Sequence, residues 1–360
     1  MKGANTAPDR VLLFLLSGLG DTLMFTPALR LMRLAWPETR LVALTMREGE
    51  RDVLQTNSDL SEVRLHSFLR MDACSNLRFL MDLRRERFEL SVLPCPTNRI
   101  HYNVISFLCG AIERAGFRYL RQSVRNLDFL NTLVLPHAGH VHNVEHNIVL
   151  AERLTGVLRA DQVGWHGHLA LTIPDEDKAQ ARHFLESERL RGSELIGLHV
   201  SSSRAKHMER KCWPKEKFLE LIQGMTREGR RFLLFCGDED LPESEWLMER
   251  GGASLHLARQ MPIRVVAELI RACKVFVTND SGLQHVAAAV GAPSVVIFGP
   301  TNPKRTGPWM GKSGIVRTGI KCSPCFYHTS GDLTCPMGID FACLRDLSVA
   351  QVRASVEKML

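Results

Sequence analysis

The chain has 360 residues, 45% of them hydrophobic and 24% charged, which fits an ordinary soluble globular protein with two cores. Its 46 Lys and Arg against 39 Asp and Glu give a net charge of +7, which favours acidic partners such as phosphorylated small molecules or anionic lipid. Long Lys/Arg blocks are absent, which argues against a nucleic-acid module; no apolar run is long enough to span a bilayer; and residues 11–16 are too short for a signal peptide, so a cytoplasmic protein is expected.

Taken in order, residues 11–16 predict a buried strand, Ser17-Gly18-Leu19-Gly20-Asp21 a tight turn, and the next stretch a helix to about Ala35. Thr26-Pro27 predicts a kink or a restart of that helix. Further strands are expected at 41–45, 62–68 and 89–93, with a helix over 72–87 and an amphipathic one over 144–154 ending at Gly156. The domain connection falls within 156–175, and we set the boundary at 165/166. The second half repeats the pattern. A helix over 175–188 precedes a strand at 195–200, a polar loop ending at Lys211-Cys212-Trp213-Pro214, and a helix to about Arg227. Strands at 231–236 and 254–257 and a helix over 262–273 follow. Then come a strand at 274–277, the turn Asn279-Asp280-Ser281-Gly282, a helix over 283–290 and a strand at 294–298. A separate closing helix is expected within 346–360. Strand, polar turn, helix, strand is the grammar of a doubly wound α/β sheet, in which ligands sit beyond the carboxyl ends of the strands.

Five stretches could carry chemistry. Gly18-Leu19-Gly20-Asp21 approaches a dinucleotide fingerprint, but Leu23 stands at the third glycine and Thr45-Met46-Arg47 supplies no acidic residue at the end of the second strand. What remains is a carboxylate at a sheet edge, so Asp21 either caps the helix or acts as a general base. Asp280 or Ser281 either caps the next helix or belongs to an anion site at its free amides. Ser201, Ser202 and Lys211 read as a diphosphate cradle or as a solvated loop. Gly299-Pro300-Thr301-Asn302-Pro303 reads as a rigid turn or as part of one continuous site with the preceding unit. Cys322-x2-Cys325 with Cys335 and Cys343 could bind a structural zinc through four thiolates, or be reduced cysteines packing a loop. His137, His140, His142 and His146 lack the HExxH arrangement and are expected at the surface or in packing between domains rather than as metal ligands.

Together these segments resemble the bacterial lipopolysaccharide heptosyltransferases, glycosyltransferase family 9. The resemblance is carried by Gly18-Leu19-Gly20-Asp21 with Thr26-Pro27-Ala28-Leu29-Arg30, and by Lys211-Cys212-Trp213-Pro214. It extends to Asn279-Asp280-Ser281-Gly282-Leu283-Gln284-His285, Phe298-Gly299-Pro300-Thr301-Asn302-Pro303 and the Cys-Ser-Pro-Cys stretch. It implies an α/β fold of two Rossmann-like domains facing across a cleft (GT-B), residues 1–165 taking the acceptor and 166–345 the nucleotide-sugar donor. It implies inverting, metal-independent transfer of heptose from ADP-heptose to the lipopolysaccharide inner core, with no cofactor. The implied partners are the nucleotide sugar and a lipid-linked glycan at the inner face of the plasma membrane, and no nucleic acid. Asp21, beside Gly20, would be the base, and Lys211 would neutralise the diphosphate beside Ser201 and Ser202. Asp280, Ser281, Gly282, Leu283 and His285 would line the donor site, with Asp280 touching sugar hydroxyls or anchoring Lys211. Glu239 would hold the nucleoside. The rival readings are a transferase or epimerase for another nucleotide sugar on the same fold, and a non-catalytic nucleotide-sugar-binding protein.

Overall fold

The computed structural model describes residues 7–119, 123–238, 241–326 and 332–360. They form two compact units that part between Leu171 and Thr172.

The first unit opens with β1 (Arg10–Leu15), α1 (Leu19–Ala35), β2 (Arg40–Thr45), α2 (Glu48–Leu54) and β3 (Glu62–Leu65). It continues through α3 (Ala73–Arg85), β4 (Leu90–Val92), α4 (Ile100–Leu108), β5 (Glu113–Arg118), α5 (Ser123–Asn126), β6 (Leu133–Pro136) and α6 (Asn143–Thr155). Its parallel sheet has the order β3-β2-β1-β4-β5-β6. Strand β1 lies between two neighbours and is apolar after its first residue, so its side chains are buried on both faces. One face carries Leu12, Phe14, Val42 and Leu44 against Leu80 and Leu83 of α3, Tyr102 and Ile105 of α4, and Cys109 just after it.

Helix α1 runs unbroken through Pro27, where a kink or restart is expected from sequence. Proline has no N–H for the carbonyl of Leu23, four residues back. The Thr26 hydroxyl fills the vacancy by donating to Leu23 O at 2.7 Å, and it accepts from the Ala170 N–H at 2.8 Å. The N-cap of α1 is Gly18, at φ +139°, a conformation that favours glycine. Asp21 is therefore the third helical residue and does not occupy the cap position.

The second unit contains α7 (Asp175–Ser187), β7 (Leu195–His199), a 3-10 turn (Ala205–Lys211), α8 (Lys215–Thr226), β8 (Arg231–Cys236) and α9 (Leu241–Gly251). Then follow β9 (Leu255–Arg259), α10 (Ile263–Ala272), β10 (Val275–Asn279), α11 (Gly282–Ala289) and β11 (Ser294–Ile297). It ends with α12 (Pro303–Thr306), β12 (Ser313–Val316), α13 (Ala342–Arg345) and α14 (Val349–Glu357). The parallel sheet order is β12-β11-β10-β7-β8-β9. Both sheets thus have the 3-2-1-4-5-6 order of a Rossmann fold. Helix α14 belongs to this unit, with Val352 and Val356 buried in the same core as Trp213, Phe218 and Leu347. Among the described residues, no helix is long and apolar enough to cross a membrane.

Candidate active site

In a doubly wound sheet the chain leaves neighbouring strands in opposite directions at the point where their order reverses, and a crevice opens there beyond the carboxyl ends. In the first unit that point lies between β1 and β4. Asp21 stands there, lining a small pocket with Leu16, Ser17, Thr22, Pro94 and Cys95. Asp21 is the acidic residue in the first turn of α1, where the helix dipole attracts negative charge. The opposite wall follows β4 and is fixed from two sides. Ser17 Oγ donates to Pro96 O at 2.8 Å. The fully buried Asn147 of α6 accepts from Cys95 N at 2.7 Å and donates to Cys95 O and Met24 O at 3.3 and 3.4 Å. Tyr102 lies close by; burial pushes its phenol upward, and the charge of Asp21 adds to the effect.

In the second unit the reversal lies between β10 and β7, in register Thr278 to His199, with β11 on the other side of β10. Lys211 Nζ donates to Asp280 Oδ2 at 3.0 Å, with 8% and 6% of the two residues exposed. Gln284 Nε2 holds the other carboxylate oxygen at 2.7 Å. The loop that delivers Lys211 is itself tied to β10. Asn279 Oδ1 accepts from Trp213 N at 2.9 Å, and its amide donates to Val200 O at 2.8 Å. Ser281 takes the N-cap position of α11, yet its side chain makes no capping bond. Its hydroxyl instead meets His199 Nδ1 at 3.2 Å and Thr278 Oγ1 at 3.1 Å. Ser281 is therefore the cap by position only, Asp280 stands one residue before it, and the first amides of α11 take no side-chain acceptor from the N-cap residue.

Ser201 and Ser202 follow β7 and are both buried, the Ser201 hydroxyl donating to Ser202 O at 3.2 Å. Gly282 and Leu283 are half-buried in the first turn of α11, and His285 is buried one residue beyond Gln284. Gly20 lies in the first turn of α1 beside Asp21. Glu239 lies outside the described residues; the adjoining Asp238, at the end of β8, accepts from Gln260 Nε2. The turn after β11 is rigid. A Cβ on Gly299 would stand 2.4 Å from Leu344 Cγ, Pro300 O accepts from Cys325 N and Phe326 N, and Asn302 caps α12.

The zinc expectation is not supported. Among the described residues no group of three or more His, Cys, Asp or Glu is placed to hold a metal ion, and Cys322, Cys325, Cys335 and Cys343 are free thiols. Of the histidines, His142 accepts from Val144 N at the start of α6, His146 donates to Ala138 O at 2.9 Å and stacks on His137, and His140 is exposed.

The arrangement can bind a diphosphate. An ammonium has three donors, of which Asp280 takes one and points the rest. The N-terminus of α11 close by favours negative charge. Polar positions that the sequence analysis gave no role are His199, Asn147 and Asn279. A polar residue closing an otherwise apolar strand was the available signal for His199.

The family model described as "Glycosyltransferase family 9 (heptosyltransferase)" matches residues 77–333. The chain is 26% identical over 240 residues to lipooligosaccharide heptosyltransferase 2 of Haemophilus influenzae, an alignment covering 65% of this chain and 66% of that protein. Among solved structures, a glycosyl transferase family 9 protein from Veillonella parvula superposes with TM-score 0.78 at 21% identity, covering 98% of this chain and 97% of the other. The E. coli ADP-heptose lipopolysaccharide heptosyltransferase II superposes with TM-score 0.73 at 20% identity, covering 97% and 98%. At such identities these two likenesses speak for the fold, while the family match spans well over half of the sequence. The chain belongs to glycosyltransferase family 9, the heptosyltransferase family.

Proposed function

We propose that the protein transfers a heptose from ADP-heptose to the inner core of lipopolysaccharide, with inversion and without a metal, at the cytoplasmic face of the membrane that holds the lipid-linked acceptor. Family membership supports the reaction class. The observation that carries the reading to this chain's own residues is the buried Lys211–Asp280 pair at the strand-order reversal of the second sheet.

In the reaction an acceptor hydroxyl oxygen forms a bond to the anomeric carbon. The bond from that carbon to the diphosphate breaks, and its electron pair leaves with ADP. Lys211 and the first amides of α11 meet the charge growing on the departing diphosphate; fixed donors at such a point need no reorganisation during the step. Asp280 orients Lys211, and Gln284 orients Asp280. Asp21 takes the proton of the acceptor hydroxyl as the new bond forms, a contribution of about a hundred- to ten-thousandfold in rate. Ser201, Ser202, Ser281 and His285 line the donor site, and Glu239 holds the nucleoside.

The test is heptose transfer by purified protein, read by mass spectrometry of the acceptor. Asp21→Asn should lower turnover by about a hundredfold or more while ADP affinity by calorimetry stays within about twofold of wild type. Undiminished turnover in Asp21→Asn removes the base assignment. No transfer by wild type from ADP-heptose, with transfer from another nucleotide sugar, removes the donor assignment.

A further inference from the structure

The outer surface of α3 is unlike that of an ordinary surface helix. Its inner side buries Leu80 and Leu83 in the core shared with α4. Its outer side repeats at helical spacing through Cys74, Leu77, Arg78, Met81 and Arg85, all exposed. The segment that leads into it adds two more large apolar side chains. Leu69 is 80% exposed, Met71 52%, Leu77 55% and Met81 43%. Single exposed apolar residues are common and need no reason. Four fall between positions 69 and 81, interleaved with arginine; Leu77 and Met81 lie one turn apart on α3, Asn76 Nδ2 ties Met71 O to its first turn at 3.3 Å, and exposed apolar groups gathered in this way mark interaction sites. Phe107 on the outside of α4 and Ile112 just after it are also exposed, on the same side of the sheet as α3.

The charge around these residues has one sign in excess. Arg70, Arg78, Arg84 and Arg85 are exposed. Two carboxylates lie nearby, Asp72, which caps α3 through the Ser75 N–H and hydroxyl, and Asp82, which pairs with Arg85, so the four arginines exceed them by two. Apolar side chains flanked by an excess of arginine match a surface that is anionic outside and apolar just beneath. A protein partner would have to supply both features; a bilayer with acidic headgroups has them everywhere.

We propose that the segment of Leu69, Arg70 and Met71 together with the outer stripe of α3 docks the protein on an anionic lipid bilayer, Leu69, Met71, Leu77 and Met81 entering the headgroup boundary and the arginines meeting lipid phosphates. The inference rests on the reading that the acceptor is lipid-linked, and it names the surface that brings the chain to it.

The experiment is flotation of the full chain, without sugar donor, on phosphatidylcholine vesicles with and without phosphatidylglycerol. Wild type should float with the anionic vesicles and be released by salt. Arg70→Gln with Arg78→Gln should lower partitioning by about fivefold per arginine. Leu69→Ser with Leu77→Ser and Met81→Ser should lower it by at least roughly tenfold in all, because each removes apolar area from the boundary. These positions are already exposed, so thermal melting should be unchanged. Transfer to a deacylated, water-soluble acceptor should stay at the wild-type rate, while transfer to acceptor embedded in vesicles falls. Wild-type failure to float, variants that float like wild type, or a wild-type dimer that the serine variants dissolve each overturn the proposal. Transfer to the soluble acceptor without flotation retires the surface and keeps the function. Flotation without any transfer retires the function and keeps the surface.

Discussion

Lys211 and Asp280 stand 3.0 Å apart, with about a tenth or less of each side chain exposed. Taking one member away leaves the other charge buried without its partner, which costs about 3–5 kcal/mol of stability. Lys211→Ala should therefore unfold at lower denaturant than wild type and bind ADP roughly tenfold or more weakly by calorimetry. Asp280→Ala should lose similar stability but keep more of the ADP affinity, because the ammonium survives to meet the diphosphate. The double variant should be closer in stability to either single variant than to their sum, since the second change removes the orphaned charge. Equal ADP affinity in wild type and Lys211→Ala would show that the cradle does not use this lysine. At this scale the sequence was legible where short motifs carry the side chains that meet: Lys211 before Trp213-Pro214 pairs with Asp280 of Asp280-Ser281-Gly282, one of the two contacts expected of that aspartate. It was not legible where a side chain works across the chain. Asn279 reaches Trp213 over 66 positions, and Asn147 reaches Cys95 over 52. Nothing local in the sequence announces either bond.

Most strands were legible, including the edge strands β3 and β9, and the fully buried ones read most plainly. Strands β1, β2, β8, β10 and β11 are flanked on both sides, and each reads as an apolar run. Strand β5, Glu-Arg-Ala-Gly-Phe-Arg, has charged ends and a glycine, with only Ala115, Gly116 and Phe117 fully buried, so it carries no such signal. Strands β6 and β12 are edges, where one missing neighbour relaxes the demand for apolar side chains. Helix α1 does not restart at Thr26-Pro27, and the reason is chemical. Thr26-Pro27 is chemistry that starts helices, but here the hydroxyl repairs the ladder that the proline opens. Thr26→Val keeps the shape and removes the donor, leaving Leu23 O and Ala170 N without their buried partner. Urea denaturation should report a loss of about 2–6 kcal/mol, from about 1–3 for each of the two orphaned groups. In a Pro27→Ala background the same change should cost less, because the alanine restores an N–H for Leu23 O. An identical cost in both backgrounds would remove the repair role from the threonine.

At the scale of the whole molecule, the excess of basic over acidic residues suits phosphate-bearing partners, but it also means that acid drives the chain toward a larger positive charge. One carboxyl that resists this in the first unit stands at the sheet edge. Strand β3 is nowhere fully buried, and it pairs only with β2. Glu62 on β3 accepts from Arg64 Nε and from Arg40 Nη2, both at 2.5 Å, and Arg64 also pairs with Glu86. The hydrogen bond from Arg64, with Arg40 helping, lowers the Glu62 carboxyl from its ordinary 4.5 to about 2. A group whose folded value is depressed stabilises the fold above its unfolded value and loses that contribution as pH falls through the folded one. The Glu62 contribution should hold above about 4.5 and disappear toward 2. A third of the side chain is exposed, so solvent screening keeps the effect modest and salt should shrink it further. Comparing wild type with Glu62→Gln by denaturant unfolding at a series of pH values isolates this one carboxyl. The stability gap between them should be constant at neutral pH and close on acidification through that window. A gap that persists to the acid end would mean that Glu62 holds β3 by shape and hydrogen bonding alone, with its charge contributing nothing.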